Sequence, residues 1–471
     1  MLADLLIRNV FISGRPRLDV SIRAGRIQAI GPALRCRAKR MLDGAGGELL
    51  PGLHDHHIHL LALAAQRDSV DLRGSRNEGD VASRIGEALR SRPDRPWIRA
   101  TGYHEHMAGV PDRTLLDRWS PRVPLRVQHA SGTLWSFNGP GIAALNGDED
   151  EGAPLERDAD GRCTGRLWRG DAWLKQRLAP VVPDLATVGR ELAACGITGV
   201  TDASASTGPA EASLLDRAHS DGRLPQRLCL MSSGPIGSTS SPDAHIGPVK
   251  IMLHESALMP YDALLRTIRL ARQWQRCVAF HCVTTAELAL ALAALDEVGG
   301  APGDRIEHGS LIDEAAADEL ARRRITVVTQ PAFVEQRGDM YLRDVDLRDQ
   351  PDLYRCASLL RRGIQVAASS DAPYADPDPW SGIRAAARRR TRSGQPLGLA
   401  ERVSAARALT MYLGPANDPG GTVRQVAPGC AADLCLLSLP LRLALRHSAR
   451  GCVAATLIAG EPVYVQPHLE H

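Results

Sequence analysis

The residues with the densest chemical potential lie in "LLPGLHDHHIHLL", Leu49 to Leu61, where four histidines and an aspartate fall within six positions behind an apolar run and Pro51-Gly52. In an extended strand, alternate residues share a face, so His57 and His59 stand together about 7 Å apart, a spacing that suits two imidazoles on one metal ion. Asp55 shares their parity one step deeper, where it could support the site. His54 and His56 point the other way and read as structural. An H-x-H pair alone is weak evidence, because hydrogen-bonded core histidines produce the same pattern.

More distant residues supply what the cluster lacks. His281 in "VAFHCV" and His308 in "RIEHGS" close apolar runs where packing alone would place Val or Leu. Asp371 in "AASSDAP" ends another such run, and a buried carboxylate there needs a cation or donors to offset its desolvation. Lys250 in "GPVKIML" is buried if that run is a strand; desolvation would depress its pKa and leave an amine nucleophilic enough to take up CO₂. The alternative is a lysine at a strand start that reaches solvent past Gly247-Pro248.

The elements that must position these groups can be read from periodicity. Eight short apolar runs, from "ELLPGLHDHH" to "IQVAASSDAP", alternate with helical patterns such as "YDALLRTIRLARQWQR" and "TAELALALAALDEVG". This predicts an α/β fold, a (β/α)₈ barrel, whose reactive residues sit at the C-terminal strand ends. The β-like texture of residues 1–48 returns at 415–468, which predicts one small β-sandwich built from both termini around a barrel at 49–414. Residues 64–192 interrupt the repeat after the first barrel strand and are expected to form an inserted subdomain. Residues 469–471 resemble the remnant of a purification tag.

With six positions in order, the chain resembles the amidohydrolase superfamily of metal-dependent barrel hydrolases, and within it the amidohydrolase family 3 branch with its long insertion after the first strand. The family's opening motif, an apolar run, P-G, then D-x-H-x-H, matches "LLPGLHDHHIH". The resemblance places metal-binding histidines at His57 and His59, the carboxylated lysine at Lys250 and further histidine ligands at His281 and His308. It makes Asp371 both metal ligand and general base. It implies two divalent metal ions, zinc first among them, a CO₂-derived carbamate on Lys250, and hydrolysis of an amide or cyclic-amide C–N bond by a metal-bridging hydroxide. The segments "HES" at His254 to Ser256 and "CVTT" at Cys282 to Thr285 depart from the family pattern, which bears on substrate rather than on the metal centre.

For substrate contacts, His254 shares parity with Lys250 nearer the mouth, Gln330 ends the seventh strand, and His104 belongs to the insertion. One rival reading is a deaminase of a nitrogen heterocycle; against it, "HCVTTAE" lacks a histidine-x-x-glutamate and Lys250 would have no role. Another is a non-catalytic, hydantoinase-like assembly protein, which retention of all six ligand positions disfavours. The substrate class is a small molecule, with a homo-oligomer left open.

Composition is consistent with this. The 471 residues are 44% hydrophobic and 24% charged with net charge +3, ordinary for a globular enzyme and too nearly neutral for nucleic acid as main partner. Ten cysteines without a C-x-x-C read as reduced thiols of a cytoplasmic protein. "MLADLLIRNV" reads as a strand rather than a signal peptide, and no apolar run approaches the roughly 20 residues of a membrane span. The basic run Arg384 to Arg392 is expected to be a solvated helix end that closes at Ser393-Gly394.

Overall fold

The computed structural model describes residues 2–467 apart from 92, 149, 151, 179–182, 448 and 449; the suspected tag at 469–471 lies outside the described residues. The chain divides into two compact units, residues 1–60 with 185–471 and residues 61–184.

In the first unit, the apolar runs become eight parallel strands in chain order: Leu53–Ile58, Ile197–Asp202, Arg227–Ser232, Ala244–Met252, Val278–Cys282, Arg305–His308, Thr326–Thr329 and Val366–Ala368. Strands one, two, six, seven and eight are buried along their whole length, as expected when helices cover the outside and side chains fill the interior. The eighth strand returns to the first. Asp371 N–H donates to His57 O (2.8 Å) and His59 N–H to Ala372 O (2.9 Å), just beyond the regular ladder. Ser370 adds backbone and hydroxyl bonds to Asp55 at 3.0 and 2.5 Å.

The helices between strands carry their own start signals. Thr284 and Glu287 form a capping box at the helix Thr285–Val298, and Asp313 caps Glu314–Arg323 through Ala316 N–H, satisfying donors that the first turn leaves without partners. Glu287 also accepts from Val283 N and, at 2.8 Å, Glu255 N, which ties the turn after the fourth strand to the turn after the fifth.

Two four-stranded sheets lie at the chain ends. One takes strands Leu2–Ile12, Arg15–Arg23, Arg26–Gly31 and Arg37–Asp43; the other takes Leu49–Pro51, Leu434–Leu437, Val453–Ile458 and Glu461–Val465. Their inner faces share one core, with Leu5, Ile7, Val20 and Ile22 against Leu434, Leu436, Ala455 and Leu457. Gly52 joins this sandwich to the first barrel strand. A Cβ there would stand 2.1 Å from the Thr198 side chain, so the Pro-Gly of the opening motif is set by close packing.

The basic run behaves differently from expectation. Its helix ends at Arg388, Arg389 takes the left-handed cap, and the Arg389 side chain is fully buried. Its guanidinium donates to the carbonyls of Leu353, Tyr354, Leu397 and Gly398. Carbonyls converging from two separate loops are bonded by one multidentate donor, and Arg supplies five N–H groups. Charge spacing along a helix carries no sign of that.

The second unit contains a six-stranded sheet in the order Leu155–Arg157, Cys163–Trp168, Leu134–Phe137, Leu125–His129, Ile98–Tyr103 and Val70–Asp71. Two apolar clusters cover it, one around Ile98, Tyr103, Leu116 and Trp119, the other around Trp135, Phe137 and Leu167. No helix among the described residues is long and apolar enough to cross a membrane.

Candidate metal centre

The C-terminal ends of the barrel strands gather six of the residues singled out from sequence. His57, His59 and Asp371 each present a ligand atom, all within 4.8 Å of one another. Asp371 Oδ1 lies 3.1 Å from His59 Nε2 and 3.5 Å from His57 Nε2. The His308 ring stands 4.8 Å from that of His57, the His281 ring 4.5 Å from that of His308. Asp371 follows the eighth strand by three residues, and both it and His308 have positive φ, 56° and 69°. That turn brings His308 to the mouth although its neighbour Glu307 points into the barrel.

Three histidines are held through Nδ1 by groups other than these ligands. Glu307 contacts His57 Nδ1; a carboxylate only accepts, so Nδ1 carries the proton and Nε2 keeps its lone pair. Gln330 donates to Ser369 Oγ at 3.0 Å, which turns its carbonyl oxygen onto His308 Nδ1 at 2.9 Å. Ser204 Oγ lies 2.9 Å from His59 Nδ1, its backbone held by Asp202. Such outer partners fix tautomer and ring orientation in metal sites. Burial, reinforced by the Lys250 charge, holds the His57 imidazole well below its usual range and brings His281 to about 3. Burial, followed by the neighbouring His57, does the same for His308. These rings are neutral at pH 7, the form that binds a metal.

Lys250 settles between its two readings: it is 2% exposed and its Nζ is buried with no hydrogen-bond partner. Desolvation lowers its pKa to about 8, against the opposing pull of Glu307 and Asp371. A buried amine without a hydrogen-bond partner, its pKa lowered, thus stands among neutral imidazoles and two carboxylates. The donor set as a whole suits a borderline or hard divalent ion.

Glu307 escaped notice in the sequence. It is fully buried, bonded to Arg305 Nε at 2.5 Å as well as to His57, and Arg305 continues to His56 O at 3.2 Å. Two opposite charges two residues apart in an otherwise apolar strand were the available signal. Asp55 bonds to Ser370 and, at 3.2 Å, to His57 N–H. It therefore holds the first strand against the eighth, and burial raises its pKa to about 7. His54 bonds to Thr201 Oγ1 at 2.9 Å, away from the cluster.

Of the substrate-facing candidates, His254 is exposed at the mouth with its ring 5.2 Å from His281. Gln330 is fully buried with both amide ends engaged as described. His104 belongs to the second unit, beside Glu105 and His129.

The model of the amidohydrolase family matches residues 40–464, which contain every one of these groups. The chain belongs to the amidohydrolase family. An amidohydrolase chain of this kind is 24% identical over 490 residues to the N-substituted formamide deformylase of Arthrobacter pascens, covering 89% of each. It is 19% identical to an uncharacterized metal-dependent hydrolase of Pyrococcus horikoshii, with a TM-score of 0.72 over 93% of this chain and 96% of that one. N-isopropylammelide isopropylaminohydrolase of Burkholderia multivorans shares the fold at a TM-score of 0.56, 19% identity and 98% coverage of both chains.

Proposed function

We propose that this amidohydrolase cleaves an amide or cyclic-amide C–N bond in a small molecule, using two divalent ions, zinc being the expected metal. The observation that carries the reading is the orphaned Lys250 amine beside three histidines whose Nδ1 atoms are already engaged, all facing Asp371. His57, His59, His281, His308, Asp371 and Lys250 as its carbamate would hold the pair. Bound there, the ions would bring the pKa of water toward about 7 and polarise the scissile carbonyl.

The chain's own groups do the rest. Asp371 takes a proton from the attacking water at its carboxylate and returns it to the leaving nitrogen, general acid–base work worth about 10²–10⁴ in rate. Its backbone N–H is bonded to His57 O, which fixes the Asp371 main chain beside the histidines. Glu307, Ser204 and Gln330 keep the imidazoles aimed. His254 at the mouth is placed to meet the substrate rather than the reacting bond.

The test pairs metal analysis of the purified protein with a screen of N-substituted formamides, N-acyl amino acids, cyclic amides and ureas. About two ions per chain and zinc-dependent release of an amine or acid support the reading. One ion with ammonia released from a heterocycle would replace it with a deaminase, and a metal-free, inactive protein after zinc and bicarbonate loading would overturn it.

A further inference from the structure

The second unit holds another cluster of metal-ligating side chains. The parallel strands Ile98–Tyr103 and Leu125–His129 end side by side, with Tyr103 paired to His129 and Ala130 N–H bonded to Tyr103 O at 2.8 Å. The chain turns immediately after Tyr103, with Met107 N–H on His104 O at 3.0 Å and Gly109 N–H on Glu105 O at 2.7 Å. This turn sets "HEH", His104 to His106, against the end of the neighbouring strand.

Glu105 Oε2 lies 3.2 Å from His104 Nδ1 and 3.1 Å from His129 Nε2. Ligands at about 2.0–2.1 Å around a tetrahedral ion sit roughly 3.3 Å apart, so both separations are already close to those of a coordinated pair. The three ligand atoms lie within 4.8 Å of one another. The His106 ring lies 4.9 Å from that of His104, outside the three-residue group. His129 is anchored at its other nitrogen, with Ser131 Oγ at 2.7 Å and the hydroxyl in turn 2.8 Å from Thr133 Oγ1. Nδ1 also accepts the Ser131 backbone N–H at 3.1 Å, so Nε2 holds the proton donated to Glu105; metal at Nε2 requires the other tautomer, with Nδ1–H turned to the Ser131 hydroxyl.

We infer that His104, Glu105 and His129 form a second, surface-accessible site for a divalent transition metal, zinc in the first instance. The ligand set of two imidazoles and one carboxylate is that of borderline ions, and the exposure of His104 and Glu105 leaves coordination positions for water. Metal would replace the proton shared between His129 and Glu105, so occupancy depends on pH and falls as the imidazoles protonate.

The full-length protein, stripped with chelator and dialysed at neutral pH against buffered micromolar free Zn²⁺, is compared with Glu105→Gln and with His129→Ala. Wild type should retain one zinc per chain more than either variant; ions in the barrel cancel in the difference, whatever their number. Dialysis at pH 5.5 should remove that extra ion from wild type. A second measurement needs no substitution: Zn²⁺ should slow diethylpyrocarbonate modification of His104 and His129 in wild type but not of exposed His245. Equal zinc content in all three proteins, or unchanged modification rates at His104 and His129, would overturn the assignment, leaving the cluster as a hydrogen-bonded His–Glu–His contact.

Discussion

Replacing Glu307 by Gln separates the orienting carboxylate from the metal ligands themselves. One Glu307 oxygen accepts from His57 Nδ1–H and the other from Arg305 Nε–H; an amide has a single acceptor oxygen and must turn N–H donors toward one of the two. The lost bond is buried and charge-assisted, worth about 1.5–3 kcal/mol, or roughly 10–150-fold in an equilibrium constant. Outer partners of metal-binding histidines are typically worth about 10–100-fold in affinity, in agreement. Zinc competition against a chromogenic chelator should therefore show metal affinity falling one to two orders of magnitude in Glu307→Gln, with the circular dichroism spectrum unchanged. Glu307→Ala goes further, since it strands the buried Arg305 guanidinium, a loss of about 3–5 kcal/mol that would appear as a lower Tm. Wild-type zinc affinity in Glu307→Gln, or equal Tm for the two variants, would refute the coupling of Arg305, Glu307 and His57.

Five other outcomes follow from the same geometry. Asp371→Asn should retain much of the metal while hydrolysis falls by about 10²–10⁴, read by metal analysis and turnover on one preparation. Lys250→Ala should abolish both turnover and the second ion. Because the Lys250 pKa is lowered from 10.5 to about 8, carbamate formation from isotope-labelled bicarbonate in metal-free protein should rise through pH 8, not through the range of exposed lysines. The unfolded lysine binds more protons between those two values, so stability from this group rises with pH between about 8 and 10.5 and the penalty is complete below 8; Lys250→Met should raise the Tm of the metal-free protein most below pH 8. Arg389→Met should lower Tm without altering metal content, because the carbonyls of Leu353, Tyr354 and Leu397 lose the guanidinium that bonds them.

Legibility from sequence tracked the physics of each feature. The barrel was readable because buried parallel strands need uninterrupted apolar residues, which makes His57, Lys250, His281, His308 and Asp371 stand out as violations of that rule. The supporting groups were hidden for the same reason: Ser204, Ser369 and Ser370 are small, common in turns and unremarkable in type, and Glu307 was overshadowed by the histidine beside it. Gln330 was visible at a strand end, but only coordinates reveal that both amide ends are engaged by His308 and Ser369. Arg389 shows the opposite failure. A run of arginines at a helix end looks solvated, and only tertiary packing discloses that one of them fills a hole lined with carbonyls. The insertion's mixed sheet gave no single period to read, since its strands run in both directions and its polar edges resemble loops.

The shared core of the terminal sandwich has a consequence for biogenesis. Leu5, Ile7 and Ile22 find their apolar partners in Leu434, Leu436 and Leu457, some 400 positions later in the chain. At ribosomal rates of about 5–20 residues per second, the early strands would wait on the order of 20–80 s for their counterparts to be made. During that interval the apolar inner face of an open four-stranded sheet is exposed to solvent or to any chaperone that can shield it. Overexpression should therefore tax the nascent amino-terminal half first, and inclusion bodies should be relieved more by slower translation or chaperone supply than by substitutions within the finished barrel.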